Sequence, residues 1–317
     1  MTTDQDAKPS PLVSVVIPLY NRRNSVVAAV ESALGQTYAN LEVIVVDDGS
    51  TDGGAENLEQ SVRDTRLRVL RQANQGACAA RNLGLDSARG KYVAMLDSDD
   101  TFLADHIAQC VEVLEAAVGD IAVYGRVIVD RGEGVQFLKP PRAIRPDEDI
   151  SEYLLCDQGF VQTSTLVLER GLATRVRYRP GLPFGQDTDF AIRLGRAGAR
   201  LVMLEQPQAI WSDRPAAGRV SNALDPKPRL DWLHAMGASI TAKARRGDMG
   251  WYVAKALYKS GSRVLATRLY LAAVLSGCYR SKLAGRIALQ IFLPSRSYRA
   301  LADVFLRRAK RTHASER

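Results

Sequence analysis

The sequence predicts an α/β fold: a Rossmann-like, mostly parallel sheet flanked by helices, followed by a helical C-terminal extension. Three observations carry this expectation. Residues 13–17 and 43–46 are apolar, β-branched runs of the kind found in strands covered on both faces. Between them Val26, Val30, Ala33 and Leu34 recur at helical spacing, so the segment reads strand, helix, strand, a βαβ unit. From about Pro228 onward only helical patterning remains.

The elements follow in order. The first strand is expected to end at Pro18, giving way to the loop Leu19-Tyr20-Asn21-Arg22-Arg23 and a helix from about Ser25. The second strand runs into Asp47-Asp48-Gly49-Ser50-Thr51-Asp52. Residues 68–70 read as a short strand, 78–88 as an Ala/Leu helix, and 92–96 as a strand ending in Asp97-Ser98-Asp99-Asp100. Leu103, Ile107, Cys110, Val111, Leu114 and Val118 then trace one helix face, and 121–124 and 165–168 read as strands. Gly185-Gln186-Asp187-Thr188-Asp189 opens a further helix bearing Phe190, Ile192 and Leu194. Helices are expected at 230–245, 251–260, 263–275, 281–292 and 297–311. The last has Tyr298, Leu301, Ala302, Phe305 and Leu306 on one face and arginines around it. The division predicted is a loose lead-in at 1–11, one α/β domain at 12–227 and a helical region at 228–317.

Composition narrows the function classes. The chain has 317 residues, 46% of them hydrophobic and 25% charged, enough apolar material to bury a core and too much for a disordered tail protein. Its net charge of +8 is unevenly placed. Residues 228–317 hold 18 Lys+Arg against 4 Asp+Glu, leaving 25 against 31 in residues 1–227, so the first part is acidic and the second strongly basic. The four cysteines include no CxxC pair and the three histidines cluster with none of them, which excludes a Cys/His zinc module and a disulfide scaffold. No signal-peptide pattern opens the chain and no uncharged apolar run reaches membrane-span length, the longest late one being 269–279. A cytoplasmic protein, soluble or peripherally attached, is expected. No nucleic-acid motif or stacking platform is present, so nucleic acid is not an expected partner.

Two acidic clusters at the carboxyl ends of apolar strands are the informative chemistry, because ligands of open α/β sheets bind there. Asp97-x-Asp99 offers two hard-oxygen ligands suited to a divalent ion that bridges a diphosphate. The competing reading, that acids at strand ends are only turns and helix caps, weakens when two consecutive βα units share the feature. The first loop carries neither GxGxxG nor GxxxxGK[ST], which disfavours dinucleotide and P-loop readings.

The runs SVVIPLYNR, SALGQTY, EVIVVDDGSTD, NQGACAARNLGLDSARGKYVAMLDSDD and GQDTDFAIRL, in this order, resemble the family 2 inverting glycosyltransferases of GT-A fold, over about residues 12–222. The resemblance implies a nucleotide-diphosphate sugar donor, UDP-linked for preference, with Mg or Mn as cofactor and a glycan or lipid-linked acceptor. It places Pro18, Tyr20 and Asn21 at the nucleotide base, with Tyr20 able to stack on it. Asp48 corresponds to the acid that accepts the base N–H, and Asp47 to an organiser of the loop. Arg81, next to Asn82, reaches either a phosphate or a carboxylate. Asp97, with Ser98, lies near ribose and metal, Asp99 is the first choice as metal ligand, and Asp100 is expected to cap the next helix.

By the same resemblance Asp187 is the base that deprotonates the acceptor hydroxyl, with Asp189 as rival. The glutamate usual before that aspartate is Gln186 here, removing a negative charge beside the base. Gln162 and Thr163 either line the site or are plain strand residues. Trp211 packs against the acceptor or fills core, and Arg214 or Arg219 either clamps phosphate or is solvated. The family's frequent histidine near 213 is missing. The implied reaction is a single in-line displacement with inversion at the anomeric carbon, adding one sugar per encounter because a QxxRW motif is absent. The rival classes are a nucleotidyltransferase, disfavoured by the first loop, and a catalytically weak or inactive sugar-nucleotide-binding protein, disfavoured by the intact acids. The basic C-terminal helices are expected either to lie on an anionic membrane or to pack together with their charges in solvent.

Overall fold

The structure, a computed structural model, describes residues 10–132, 134–213, 225–294, 297, 298 and 302. In chain order the elements are β1 (Val13–Leu19), α1 (Val26–Leu34), β2 (Leu41–Asp47), α2 (Gly54–Ser61), β3 (Leu67–Arg71), α3 (Ala77–Ser87), β4 (Tyr92–Met95), β5 (Thr101–Phe102), α4 (His106–Ala116) and β6 (Ile121–Asp130). Then come β7 (Gln136–Lys139), α5 (Ile150–Cys156), β8 (Val167–Glu169), α6 (Arg170–Val176), α7 (Gln186–Arg196) and β9 (Arg200–Ser212). The remainder is α8 (Lys227–Met236), α9 (Ala242–Asp248), α10 (Ala254–Lys259), α11 (Arg263–Leu275) and α12 (Ser281–Phe292).

The chain forms two compact units that interleave in sequence. The first comprises Met1–Gly125, Gln162–Gly181 and Gly198–Trp211, and the second Arg126–Val161, Leu182–Ala197 and Ser212–Arg317. This differs from the expected division at 227/228, and the reason is packing. Cys156 at the end of α5 is buried in one cluster with Trp251, Ala273, Tyr279, Ile287 and Ile291, so the late helices close a core that the middle of the chain begins. Lys243 pairs with Glu152 at 2.8 Å, and Thr241 donates to the same carboxylate at 2.9 Å.

In the first unit the strand order is β3-β2-β1-β4-β8-β6-β9-β5. The four strands β3, β2, β1 and β4 are parallel, with Val16 beside both Ile44 and Met95. β8 is antiparallel to β4 and β6, and β5 to β9. β1 and β2 are buried at every residue, as their unbroken apolar composition requires. Pro18 lies within β1 beside Val46 rather than after the strand's end. In the second unit the outer part of β6 pairs with β7, Val127 beside Lys139.

Helix periodicity served well where apolar residues were dense. α11 and α12 have the expected bounds, whereas the expected helix 230–245 is two, parted where Gly237 takes φ +47°. The restart is capped by the Thr241 hydroxyl, which accepts from Ala244 N–H at 3.0 Å. A π-helical turn, Met249–Val253, opens the expected helix 251–260. Val118 lies beyond the end of α4 and is exposed. The expected helix 297–311 lies outside the described residues except for positions 297, 298 and 302.

One expectation about clustering changes: His106 Nδ1 is 3.6 Å from Cys110 Sγ, one helical turn on. Burial pushes the imidazole down to about 4 and the thiol well up, so both are neutral core groups. Among the described residues no three His, Cys, Asp or Glu side chains gather to hold a metal ion.

α3 packs on β1 through Gly84, where an added Cβ would stand 2.3 Å from Val16 Cγ1. Gly84→Ala is therefore expected to destabilise the protein by roughly 1–3 kcal/mol through overpacking, read as a lowered urea midpoint at unchanged m-value. An unchanged midpoint would mean that the helix can lift off the sheet without cost.

Candidate functional site

In the first unit the parallel strands deliver four loops to their carboxyl ends, and hydrogen bonds tie these loops together. Asn21, in the left-handed region at φ +51°, accepts at Oδ1 from Thr51 N–H (2.8 Å), while its own N–H donates to Ser50 Oγ (3.0 Å). Arg23 N–H donates to Asp52 Oδ2 at 2.9 Å, and Asp47 Oδ1 accepts from Ser50 N–H at 3.0 Å. The ring of Tyr20 projects from this platform, 49% exposed. Pro18 holds the strand end just before it.

Asp48 is buried, and both its oxygens hold the loop after β3. Oδ1 accepts from Gln72 Nε2 (2.7 Å) and Gln75 N–H (2.8 Å), and Oδ2 accepts from Gly76 N–H (2.8 Å). The geometry makes it the anchor of residues 72–76, with Gly76 at φ +88° leading into α3. Nothing in the sequence spacing marked Gln72 or Gln75 as partners.

The Asp97-Ser98-Asp99 turn carries two ion pairs. Arg81, buried on α3, donates to Asp97 Oδ1 at 2.6 Å and lies over the Tyr178 ring at 5.1 Å. Burial alone would depress this guanidinium, but the Asp97 charge and hydrogen bond outweigh it and hold it above its ordinary value. Of the two partners open to Arg81, the structure shows the carboxylate. Asn82 does not face a ligand: its amide exchanges both hydrogen bonds with the Tyr178 backbone, at 2.8 and 2.9 Å. Arg22 Nε stands 3.5 Å from Asp99 Oδ2, both partly exposed.

Ser98 is buried, and so is the support beneath the turn. Asp97 N–H donates to Ser164 Oγ (3.0 Å), whose hydroxyl donates to Asp100 Oδ2 (2.7 Å), which also accepts from Gln162 Nε2 (2.7 Å). Asp100 is thus a buried acceptor under the turn and not a helix cap, since β5 follows it and the residue before α4 is Asp105. Gln162 and Thr163 are buried at the entry of a 3-10 turn, Thr163–Thr165, rather than on the expected strand.

The donor set of Asp97 and Asp99 suits a hard divalent cation that shares its remaining positions with phosphate oxygens and water. Two carboxylates are too few for a self-sufficient cage; Asp97 is held by the buried Arg81, and Asp99 stands beside the partly exposed Arg22, which a second anion can engage.

In the second unit Asp187 lies in the first turn of α7, which Gly185 opens from the left-handed region at φ +53°. It is partly exposed, and its Oδ1 accepts from Thr188 N–H at 2.7 Å. Its charge is felt by Lys139 and Arg229: burial pulls Lys139 below the ordinary lysine range, with Asp213 and Asp187 opposing and Arg131 reinforcing. Gln186 Nε2 donates to Leu182 O at 2.8 Å, a bond that an ionised glutamate could not make. Asp189 is fully buried, with Oδ2 bonded to Arg193 Nε (2.8 Å) and Oδ1 to Trp232 Nε1 (3.0 Å), so it is a structural acid.

Arg229 of α8, partly exposed, pairs with the fully buried Asp248, whose Oδ1 lies 3.0 Å from Nε. The rings of Phe184, Trp232 and Tyr252 surround the guanidinium at 4.9, 5.1 and 4.2 Å. Sequence reading missed this cage, because its members are 68 positions apart from Phe184 to Tyr252. Asp213 pairs with Arg131 at 3.1 Å, and Trp211 is half-buried at the end of β9. Arg214 and Arg219 lie outside the described residues.

Comparison with known proteins identifies the family and the fold. Residues 14–171 match the family model described as glycosyl transferase family 2. The amylovoran biosynthesis glycosyltransferase AmsB of Erwinia amylovora is 33% identical over 272 residues, 82% of this chain and 88% of that protein. The succinoglycan biosynthesis protein ExoO of Rhizobium meliloti (strain 1021) is 29% identical over 297 residues, 88% of this chain and 83% of its own. Among solved structures, S. aureus TarS 1-349 in complex with UDP-GlcNAc superposes with a TM-score of 0.61 at 17% identity, covering 95% of this chain and 92% of TarS 1-349. Mannosyltransferase PcManGT from Pyrobaculum calidifontis, in complex with GDP-Man and Mn2+, gives 0.53 at 20% identity, with 93% and 87% covered. An α/β chain of GT-A fold with C-terminal helices, this protein belongs to glycosyl transferase family 2.

Proposed function

We propose that the protein is a non-processive, inverting glycosyltransferase. It moves a sugar from a nucleotide-diphosphate donor, a UDP-sugar for preference, to an acceptor hydroxyl in the synthesis of a cell-surface polysaccharide or glycolipid. The observation that carries the reading is the Asp97-Ser98-Asp99 turn, held at the carboxyl end of a parallel sheet between Arg81 and Arg22. The names of AmsB and ExoO, an amylovoran and a succinoglycan biosynthesis protein, support the acceptor class, and the ligands of TarS and PcManGT support the donor class.

In this reading Tyr20 stacks on the nucleotide base, backbone groups of the Pro18–Asn21 loop bind it, and Asp48 serves the base through the 72–76 loop that it holds. Asp97 and Ser98 meet the ribose and phosphates. Asp99 and Asp97 would hold a Mg or Mn ion, which when bound neutralises charge on the departing diphosphate. Arg81 fixes the orientation of Asp97, and Arg22, released from Asp99, turns to the donor's phosphates. Asp187 takes the proton from the acceptor hydroxyl, whose oxygen attacks the anomeric carbon as the bond to the nucleotide breaks. The neutral Gln186 leaves Asp187 more acidic than a glutamate neighbour would. The enzyme works at the inner face of the plasma membrane, attached through its C-terminal helices.

Calorimetry with UDP tests the turn. In wild type Mn2+ is expected to tighten UDP binding, and Asp99→Ala to abolish that gain while leaving the metal-free affinity within about threefold. Metal-dependent tightening that survives in Asp99→Ala would overturn the assignment.

A further inference from the structure

α11 carries an apolar face that nothing among the described residues covers. Its inner side, Ala266 and Ala273, is fully buried in the second unit's core, and Tyr270 reaches α12 by donating to Ala284 O at 3.0 Å. On the opposite side Val264 is 74% exposed, Leu271 48% and Leu275 86%, with Leu265 beside them at 49%. Positions 264, 268, 271 and 275 fall on one side of a helix at 3.6 residues per turn, so these side chains form a continuous stripe, broken only by Arg268. Soluble proteins rarely leave such a stripe in water.

The charge around it has one sign. Between Asp248 and Asp303 the sequence has nine Lys or Arg and no Asp or Glu, and α12 turns Lys282 and Arg286 outward beside Leu289. A second copy of the chain would bring this surface against itself, cation facing cation, and the carboxylate beside the start of α12, Asp157, is already taken by Arg142 and Arg280. An anionic bilayer supplies both of the missing complements, an acyl boundary for the leucines and phosphate headgroups for the arginines.

We propose that the outer face of α11 is the membrane-docking surface. Val264, Leu271 and Leu275 enter the headgroup–acyl boundary, while Arg263, Arg268, Lys282 and Arg286 rest on anionic headgroups. The proposal rests on the membrane-attached part of the reading above and assigns that attachment to α11.

Flotation of the full-length protein with phosphatidylglycerol-containing vesicles, compared with pure phosphatidylcholine vesicles, tests it. Wild type is expected to float with the anionic vesicles and to be released by salt. A Val264→Gln, Leu271→Gln, Leu275→Gln variant, altered only at exposed positions, is expected to partition at least about tenfold less at unchanged melting temperature. Arg263→Gln with Arg268→Gln is expected to weaken anionic binding and flatten its salt dependence. Wild type that does not float, or a triple Gln variant that floats like wild type, overturns the proposal. So does sedimentation showing a dimer that the triple variant dissolves while its vesicle binding stays intact. UDP calorimetry on the same proteins separates the two readings: nucleotide binding with no flotation removes the docking surface alone, and flotation with no nucleotide binding removes the transferase reading.

Discussion

Asp187→Asn is expected to lower kcat by about 10²–10⁴, the usual contribution of a positioned general base, with UDP affinity unchanged by calorimetry. The expectation singles out Asp187 because its rival is committed elsewhere. Asp189 has one oxygen on Arg193 and the other on Trp232 and no exposure, so it has no route to an acceptor proton. Asp187 sits in the same helical turn but is partly exposed. Asp189→Asn is expected to unsettle the fold, with activity falling in step with the melting temperature. Turnover of Asp187→Asn within about threefold of wild type would refute the assignment, and a selective kcat loss in Asp189→Asn would transfer the role.

Arg229→Met is expected to cost about 3–5 kcal/mol of stability, because it leaves the buried Asp248 carboxylate without its counter-charge. For a cooperative unit of this size that is a fall in Tm of roughly 6–20 °C. The aromatic cage adds to the loss, since Phe184, Trp232 and Tyr252 all pack against the guanidinium. Calorimetric melting of Arg229→Met and of Arg229→Met with Asp248→Leu tests the account. The double variant should recover most of the stability if the uncompensated charge is the cause, and a single variant melting within 2 °C of wild type would show that water reaches Asp248.

Much of the fold could be read from the sequence because the informative residues are neighbours. The apolar runs of β1 and β2, and the acids at the ends of β2 and β4, are contiguous signals, and the dense apolar periodicity of α11 and α12 fixed both bounds. What escaped has a physical pattern. α2 buries only Gly54, Ala55 and Leu58, too little apolar material to stand out. β5 and β7 exist through pairing with β9 and β6, not through their own composition. At the candidate site the acids were visible, but their partners were not. Arg22 beside Asp99, Ser164 under Asp97 and the 72–76 loop around Asp48 are brought there by the fold, and no spacing rule links them. Asp100 looked like a cap because helix signals follow it, whereas burial turned it into an acceptor for Gln162 and Ser164.

The interleaving of the second unit has a consequence for how the protein is made. Cys156 shares its core with Trp251 and Ile291, so α5 leaves the ribosome about 135 residues ahead of the last helix that covers it. At ordinary elongation rates this is a wait of roughly 7–27 s, far longer than a helix needs to form. The sheet of the first unit has all its strands once β9 is synthesised and does not share the delay. During that interval the apolar side of α5 is a surface for holding chaperones. Slowed translation or premature termination between residues 213 and 290 then leaves a transferase sheet with all its strands attached to an unfinished half.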